Sequence, residues 1–98
     1  MLRKADFLRD ARLDLLEASA WYDRKRDGLG AEFELCVEAA VDEVVRDPKR
    51  FAVAFDEIRR ATVDRFPYSI YFRLNARQIV VVAVFHNSRD SDQLKTRR

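Results

Sequence analysis

The chain has 98 residues, 48% of them hydrophobic, so it is long enough for one domain with a buried core and too short for two. Only two glycines and two prolines occur, which argues against extensive disorder. Residues 1–56 carry ten Lys and Arg against thirteen Asp and Glu, whereas residues 57–98 carry nine against four. This asymmetry indicates either a surface for an anionic partner on the second half or ordinary solvated strand edges.

Cysteine usage and the opening residues bear on the compartment. Cys36 is the only cysteine, so an internal disulfide is impossible, and its apolar helical surroundings favour a buried, inert thiol. The charged residues Arg3, Lys4 and Asp6 leave no room for the apolar core of a signal peptide. No apolar run approaches the ~20 residues of a membrane span. We therefore expect a cytoplasmic protein without a membrane partner.

The first half of the chain predicts a helical hairpin. Leu2–Phe7 is short and could form an edge strand. A helical pattern follows, because apolar residues recur at spacings of three and four at Leu8, Ala11, Leu15, Ala18 and Tyr22. Gly28 suits the left-handed position after this helix. A second helix is predicted over Ala31–Arg46, and Pro48 stops it.

After residue 56 the apolar period changes to two, which predicts strands. Glu57–Val63 and Tyr68–Leu74 read as strands, and Gln78–His86 is apolar on both faces, as expected for an interior strand. Asn75–Arg77 is the predicted turn between the last two, and Asn87–Arg98 is a polar tail.

Together these elements predict one α+β domain over residues 1–98. The N-terminal helical hairpin packs on one face of a small antiparallel sheet of three to four strands. Tyr71 and Arg73 should look out from the other face, because side chains alternate along a strand. We expect that face to be partly open and available to RNA or a peptide.

The arginines of the second half are candidates for phosphate chemistry. Arg59 and Arg60 are adjacent on one strand and point to opposite faces, so only one of them can join Arg73. A guanidinium binds phosphate through two hydrogen bonds and can stabilise charge that develops during phosphoryl transfer, as a metal-free ribonuclease requires. The alternative is that these arginines pair with carboxylates of this chain or of a partner.

His86 is the only histidine and ends the last predicted strand. Its ordinary pKa near 6.5 would suit general acid–base work, while a hydrogen-bonded structural role is the competing interpretation. If the strand is regular, His86 shares the helix-facing side with Val80, Val82 and Val84. A single histidine without a cysteine cluster does not suit a zinc site, and we expect neither a metal nor a cofactor.

The helices add few candidates. Asp10, Asp14 and Glu17 are predicted to form a solvated face of the first helix. Trp21 and Tyr22, near the end of that helix, suit either the core or a protein interface.

Several segments, in order along nearly the whole chain, resemble toxins of the RelE/ParE family from type II toxin–antitoxin systems. The segments are Phe7–Leu15, Trp21-Tyr22, Gly28–Phe33, Pro48 with Phe51, Ile58-Arg59-Arg60, Arg65–Phe72 and Val84–Arg89. The resemblance implies a RelE-like fold and a toxin that a cognate antitoxin neutralises, as in plasmid stabilization modules. It also implies recognition by a helix in a groove or by an added strand, with Trp21, Tyr22 and Tyr71 as candidate antitoxin contacts.

The family divides by mechanism. RelE-like members cut messenger RNA on the ribosome, often with a C-terminal Tyr or His, and residues 87–98 contain neither. ParE-like members inhibit DNA gyrase, and we favour this type. A nuclease would use the catalytic set Arg59, Arg65, Arg73 and His86. Contacts to RNA or another target would come from Arg60, Arg89, Lys95, Arg97 and Arg98. A relic module without toxicity is the third possibility.

Overall fold

Two helices pack on one face of a five-stranded sheet in the computed structural model, which describes residues 4–76 and 78–97. The helices are α1 (Arg9–Lys25) and α2 (Leu29–Arg46). The strands are β1 (Lys4–Phe7), β2 (Val53–Phe55), β3 (Ile58–Thr62), β4 (Tyr68–Leu74) and β5 (Gln78–His86). Short 3-10 turns occupy Pro48–Arg50 and Ser91–Thr96.

The helical hairpin depends on two glycines. Gly28 has φ +87° and takes the left-handed conformation that the sequence predicted. At Gly30 the helices approach so closely that a Cβ atom would lie 2.4 Å from the carbonyl oxygen of Ser19. The Gly30 amide donates a hydrogen bond of 2.7 Å to the carboxylate of Asp23. These contacts start α2 at Leu29, two residues before the predicted start.

The predicted α+β class is confirmed, but the predicted antiparallel sheet of three to four strands is wrong in two respects. The sheet has five strands in the order β1-β5-β4-β3-β2. It is mixed, because β1 pairs in parallel with β5 while the other pairs are antiparallel. Strand β2 escaped prediction because it has only three residues and a shift in register. A short opening strand carries no local signal for the direction of its distant partner.

The core between helices and sheet is aromatic at one end and aliphatic elsewhere. The Phe33 ring lies 5.2 Å from that of Tyr22 and 4.9 Å from that of Tyr68, and Phe66 completes the aromatic group. Burying each large apolar side chain contributes about 1.5–3 kcal/mol. The other residues of this core include Ala11, Val37, Val44, Ala61, Ile70, Phe72, Ile79, Val81 and Val84.

A β-bulge divides β5 into two parts in which the alternation of side chains between the two sheet faces is shifted by one residue. Tyr71 and Phe72 of β4 pair with Ala83 and Val81, which leaves Val82 as an extra residue. Even-numbered side chains therefore point away from the helices before the bulge and toward them after it.

The prediction that Val80, Val82, Val84 and His86 share the helix-facing side is consequently only partly right. Val84 belongs to the core beneath the helices, whereas Val80 and Val82 lie on the opposite face.

The face of the sheet opposite the helices is covered, contrary to the prediction of a partly open face. The segment after β5 folds back so that Leu94 is 0% exposed against Phe85 and Tyr71. Tyr71 points away from the helices as predicted, but it is only 5% exposed. The polar composition of residues 87–98 concealed this, because a single leucine provides the apolar contact.

No helix within residues 4–76 and 78–97 has both the length and the apolar character that crossing a bilayer requires.

Substitution at the two glycines should separate helix contact from backbone conformation. We expect Gly30→Ala to lower the free energy of unfolding by about 1–3 kcal/mol, because the methyl group collides with the backbone of α1. Gly28→Asn should cost only about a few tenths of a kcal/mol, since asparagine tolerates the left-handed region and nothing lies within 4 Å. Urea unfolding measures both. Unchanged stability in Gly30→Ala would contradict the close helix contact.

Candidate functional site

A groove of about 470 Å³ runs between α1 and the adjoining ends of β4 and β5. Trp21, Tyr22 and Tyr68 supply its aromatic surface, and His86 closes one end. Its other lining residues are Asp14, Glu17, Ala18, Pro67, Val84 and Arg89. The groove thus combines apolar surface with charged groups, as peptide-binding sites commonly do.

Trp21 and Tyr22 hold different positions at this groove. Trp21 is 47% exposed, stacks edge-on against Tyr22 at 5.1 Å, and carries the Lys25 ammonium 4.7 Å above its ring. Tyr22 is largely buried, and burial, followed by the nearby Tyr68, raises the pKa of its hydroxyl. Burial also raises the pKa of Tyr68. Both tyrosines line the groove.

His86 is exposed at the end of β5 and is held by the turn that follows it. Its Nδ1 atom accepts a hydrogen bond of 3.1 Å from the Ser88 amide, which assigns the ring proton to Nε2 in the neutral form. The ring packs edge-on against Tyr68 at 5.2 Å. The hydrogen-bonded role considered from the sequence is thus present, on the groove side of the sheet.

Asp14 is not part of a solvated face, contrary to the prediction for the carboxylates of α1. Its side chain is only 9% exposed. It accepts a hydrogen bond of 3.0 Å from the Val84 amide and two from the Arg97 guanidinium, and Arg89 lies 3.9 Å away. The bonds to Asp14 raise the pKa of Arg97. Nothing in the sequence distinguishes Asp14 from its exposed neighbours, because its partners are distant in the chain.

The predicted target-binding residues that the structure describes contact side chains of the sheet face opposite the helices, and Arg97 also reaches α1 through Asp14. They are Arg60, Arg89, Lys95 and Arg97, while Arg98 lies outside the described residues. The guanidinium carbons of Arg89 and Arg97 lie 4.0 and 4.8 Å from the centre of the Phe85 ring. Arg60 donates to the buried Ser69 hydroxyl at 3.0 Å. Phe85 was not singled out from the sequence, although it organises this cluster.

The arginines proposed for a nuclease have separate structural partners. Arg59 faces the helix layer, where it donates a hydrogen bond of 2.6 Å to the Phe51 carbonyl. Arg65 has φ +71° and forms an ion pair of 2.9 Å with Glu32. The predicted alternative, pairing with a carboxylate of this chain, is what Arg65 shows, whereas Arg59 binds a backbone carbonyl instead.

The four proposed catalytic residues do not converge. Arg73 lies on the face opposite to that of Arg59, because Arg59 pairs with Phe72, its neighbour along β4. His86 pairs with Tyr68 at the other end of β4, roughly 17 Å from Arg73 at about 3.3 Å per residue. In the part of the chain that the structure describes, no three His, Cys, Asp or Glu side chains form a cluster suited to a metal ion.

The ion pair at Arg65 yields a titration prediction. Hydrogen bonds from Arg65 and then from Arg26 lower the pKa of Glu32, so this pairing stabilises the fold above the unfolded-state pKa of about 4.3. The contribution is lost as the pH falls through the lower, folded-state value.

Arg65→Ala should therefore raise the pKa of Glu32 towards its ordinary range, as measured by NMR titration of its carboxyl carbon. Arg24→Ala is the control and should leave this pKa in place. A Glu32 pKa that does not respond to Arg65→Ala would contradict the ion pair.

Comparison with known proteins identifies the family. The fold resembles that of a chain from a solved structure described as "Chromosomal ParDE TA system from P. aeruginosa", with a TM-score of 0.76 and 17% identity. That alignment covers 87% of this chain and 96% of the other. A search of curated proteins found no match. The sequence profile for the ParE toxin of the type II toxin–antitoxin system parDE matches residues 6–91, and the chain therefore belongs to the ParE toxin family.

Proposed function

We propose that this type II toxin acts by binding its target, with DNA gyrase as that target, and that it does not cleave RNA. The proposal rests chiefly on the dispersal of Arg59, Arg65, Arg73 and His86 over two faces and two ends of the sheet. Cleavage of a phosphodiester needs groups fixed around one phosphorus atom, within hydrogen-bonding reach of it. Arg59 and Arg65 are instead engaged with a backbone carbonyl and a carboxylate of the same chain.

A binding role accords with the cationic cluster on the sheet. This cluster comprises the exposed side chains of Arg60, Arg89 and Lys95, whereas Arg97 is only 13% exposed and is bonded to Asp14. A cation held over an aromatic ring, as Arg89 is over Phe85 and Lys95 over Phe55, is preorganised for binding. We assign target recognition to this cluster, and we place the toxin in the cytoplasm, where gyrase works.

The cognate antitoxin, in this proposal, docks at the groove beside α1. The half-exposed Trp21 offers a large apolar surface, and the phenols of Tyr22 and Tyr68 offer hydrogen bonds. Aromatic side chains of this kind dominate the energies of protein interfaces. Tyr71, the third aromatic residue predicted to contact the antitoxin, is buried under the C-terminal segment and is left out of this surface.

Expression without the antitoxin tests the mode of action. We expect growth arrest, loss of DNA supercoiling and intact messenger RNA ends, because the proposed toxin binds gyrase and performs no chemistry. Cleaved messages with normal supercoiling would replace this proposal with the ribonuclease alternative. Unimpaired growth would identify the chain as a relic module.

Truncation of Trp21 tests the antitoxin surface. We expect Trp21→Ala to weaken antitoxin binding by about 2 kcal/mol, roughly 30-fold in Kd, because it removes the central exposed aromatic group. Leu35→Ala is the matched control, since Leu35 is 64% exposed on the other helix and lies outside the groove. Calorimetry on the purified pair measures both. Equal affinities for the two variants would place the antitoxin elsewhere.

A further inference from the structure

We infer that Asp14 is a positioning residue for the toxin's action: through Arg97 it holds the C-terminal segment, residues 87–97, on the sheet so that the exposed cations Arg89 and Lys95 face the target in one fixed arrangement. The inference rests on the proposed function in one respect, namely that this segment contacts the target. It assigns a role in toxicity to a carboxylate of helix α1.

Asp14 joins three elements that are far apart in the sequence. It lies in the second turn of α1 and accepts the Val84 amide of β5 at 3.0 Å. The same carboxylate accepts both terminal nitrogens of Arg97, with Nη2 at 3.0 Å from Oδ1. The two side chains are only 9% and 13% exposed, so the pair is largely shielded from water. A two-point bond between an arginine and a carboxylate fixes orientation as well as distance.

The bond also places the segment at defined backbone positions. Strand β1 pairs with β5 only as far as Val81, so beyond that residue β5 is paired with β4 on one side and has no strand on the β1 side. Asp14 satisfies the Val84 amide there, and Arg97 donates to the Val82 carbonyl at 3.3 Å. Buried backbone groups require such partners. The Arg97 guanidinium is therefore held at the edge of β5, beside the bulge, by the Asp14 carboxylate and the Val82 carbonyl.

The position of Arg97 affects where the other cations of the C-terminal segment lie. Arg97 and Arg89 contact the same Phe85 ring, at 4.8 and 4.0 Å from its centre. Arg89 is further held by Gln93, at 2.7 Å from its Nε atom. If the Asp14 carboxylate is removed, the Arg97 guanidinium loses its paired charge in a shielded site, and the segment loses this bond near residue 97. A loosened segment must then be ordered again when the target binds, which weakens binding.

Asp14→Asn tests this role, and Asp10→Asn is its matched control. Asp10 lies one turn earlier on α1, is 62% exposed and reaches Arg97 only at 4.0 Å. Both variants remove one negative charge from the same helix. We expect Asp14→Asn to accelerate amide exchange over residues 91–97 by about tenfold or more, and to raise the toxin level needed for growth arrest by a similar factor. Asp10→Asn should change neither, and Asp14→Glu should restore part of both.

A second pair of variants separates positioning from general stability. Arg97→Gln removes the other half of the bond. The toxicity of the double variant Asp14→Asn, Arg97→Gln should therefore equal that of the less toxic of the two single variants. Gly30→Ala lowers stability in the helical hairpin and leaves the bond intact, so it should retain toxicity at temperatures where it is folded. Additive losses in the double variant, or an equal loss in Gly30→Ala, would overturn the inference.

Growth arrest keeps this test independent of the identity of the target. Full toxicity of Asp14→Asn with accelerated exchange over residues 91–97 would overturn the inference and leave the gyrase proposal standing. Arrest without loss of supercoiling would overturn only the gyrase proposal, and the comparison of Asp14→Asn with Asp10→Asn would still decide the role of Asp14. A wild-type chain that does not arrest growth would overturn both.

Discussion

Strand β5 is apolar on both faces, and the need to cover both faces shapes the rest of the molecule. Residues 79–85 are all buried. The helical hairpin covers one face through Phe33 and its neighbours, and the C-terminal segment covers the other through Leu94. A domain of this size has little apolar surface to spare, so each cover matters for stability. The bulge at Val82 distributes the β5 side chains between the two covers.

The helical hairpin and the C-terminal segment each border a surface, and these two surfaces differ in chemistry. The groove beside α1 presents aromatic rings and phenols, which suit a peptide-like partner such as an antitoxin. The opposite face presents arginines laid over Phe85 and joined to Ser69, which suit an anionic or polar target. Asp14 lies between them: it lines the groove, and it also holds Arg97.

The arginines considered for a nuclease lie on different faces of the sheet, Arg59 toward the helices and Arg73 on the other side. Arginine was the residue type on which a nuclease hypothesis depended, and alternation along the strands was enough to show that Arg59 and Arg60 could not act together. Their actual partners could not be predicted, because Phe51 and Asn87 reach them through loops. The sequence similarly gave no sign that Glu32 would hold Arg65, since α2 and the β3–β4 turn meet only in the folded chain.

Local pattern determined the class of fold, the two helices, strands β3 to β5 and the glycine at the helical turn, because periodicity and backbone preference act over a few residues. Charge and residue chemistry pointed to His86 and the arginines of the second half, and the family resemblance added the toxin role and the antitoxin contacts Trp21, Tyr22 and Tyr71. Only the tertiary structure decided that β1 runs parallel to β5, that residues 87–97 cover the sheet and that Asp14 is shielded. Each of these depends on contacts between segments that are far apart along the chain, such as Asp14 with Arg97, and such contacts leave no periodic trace in the sequence.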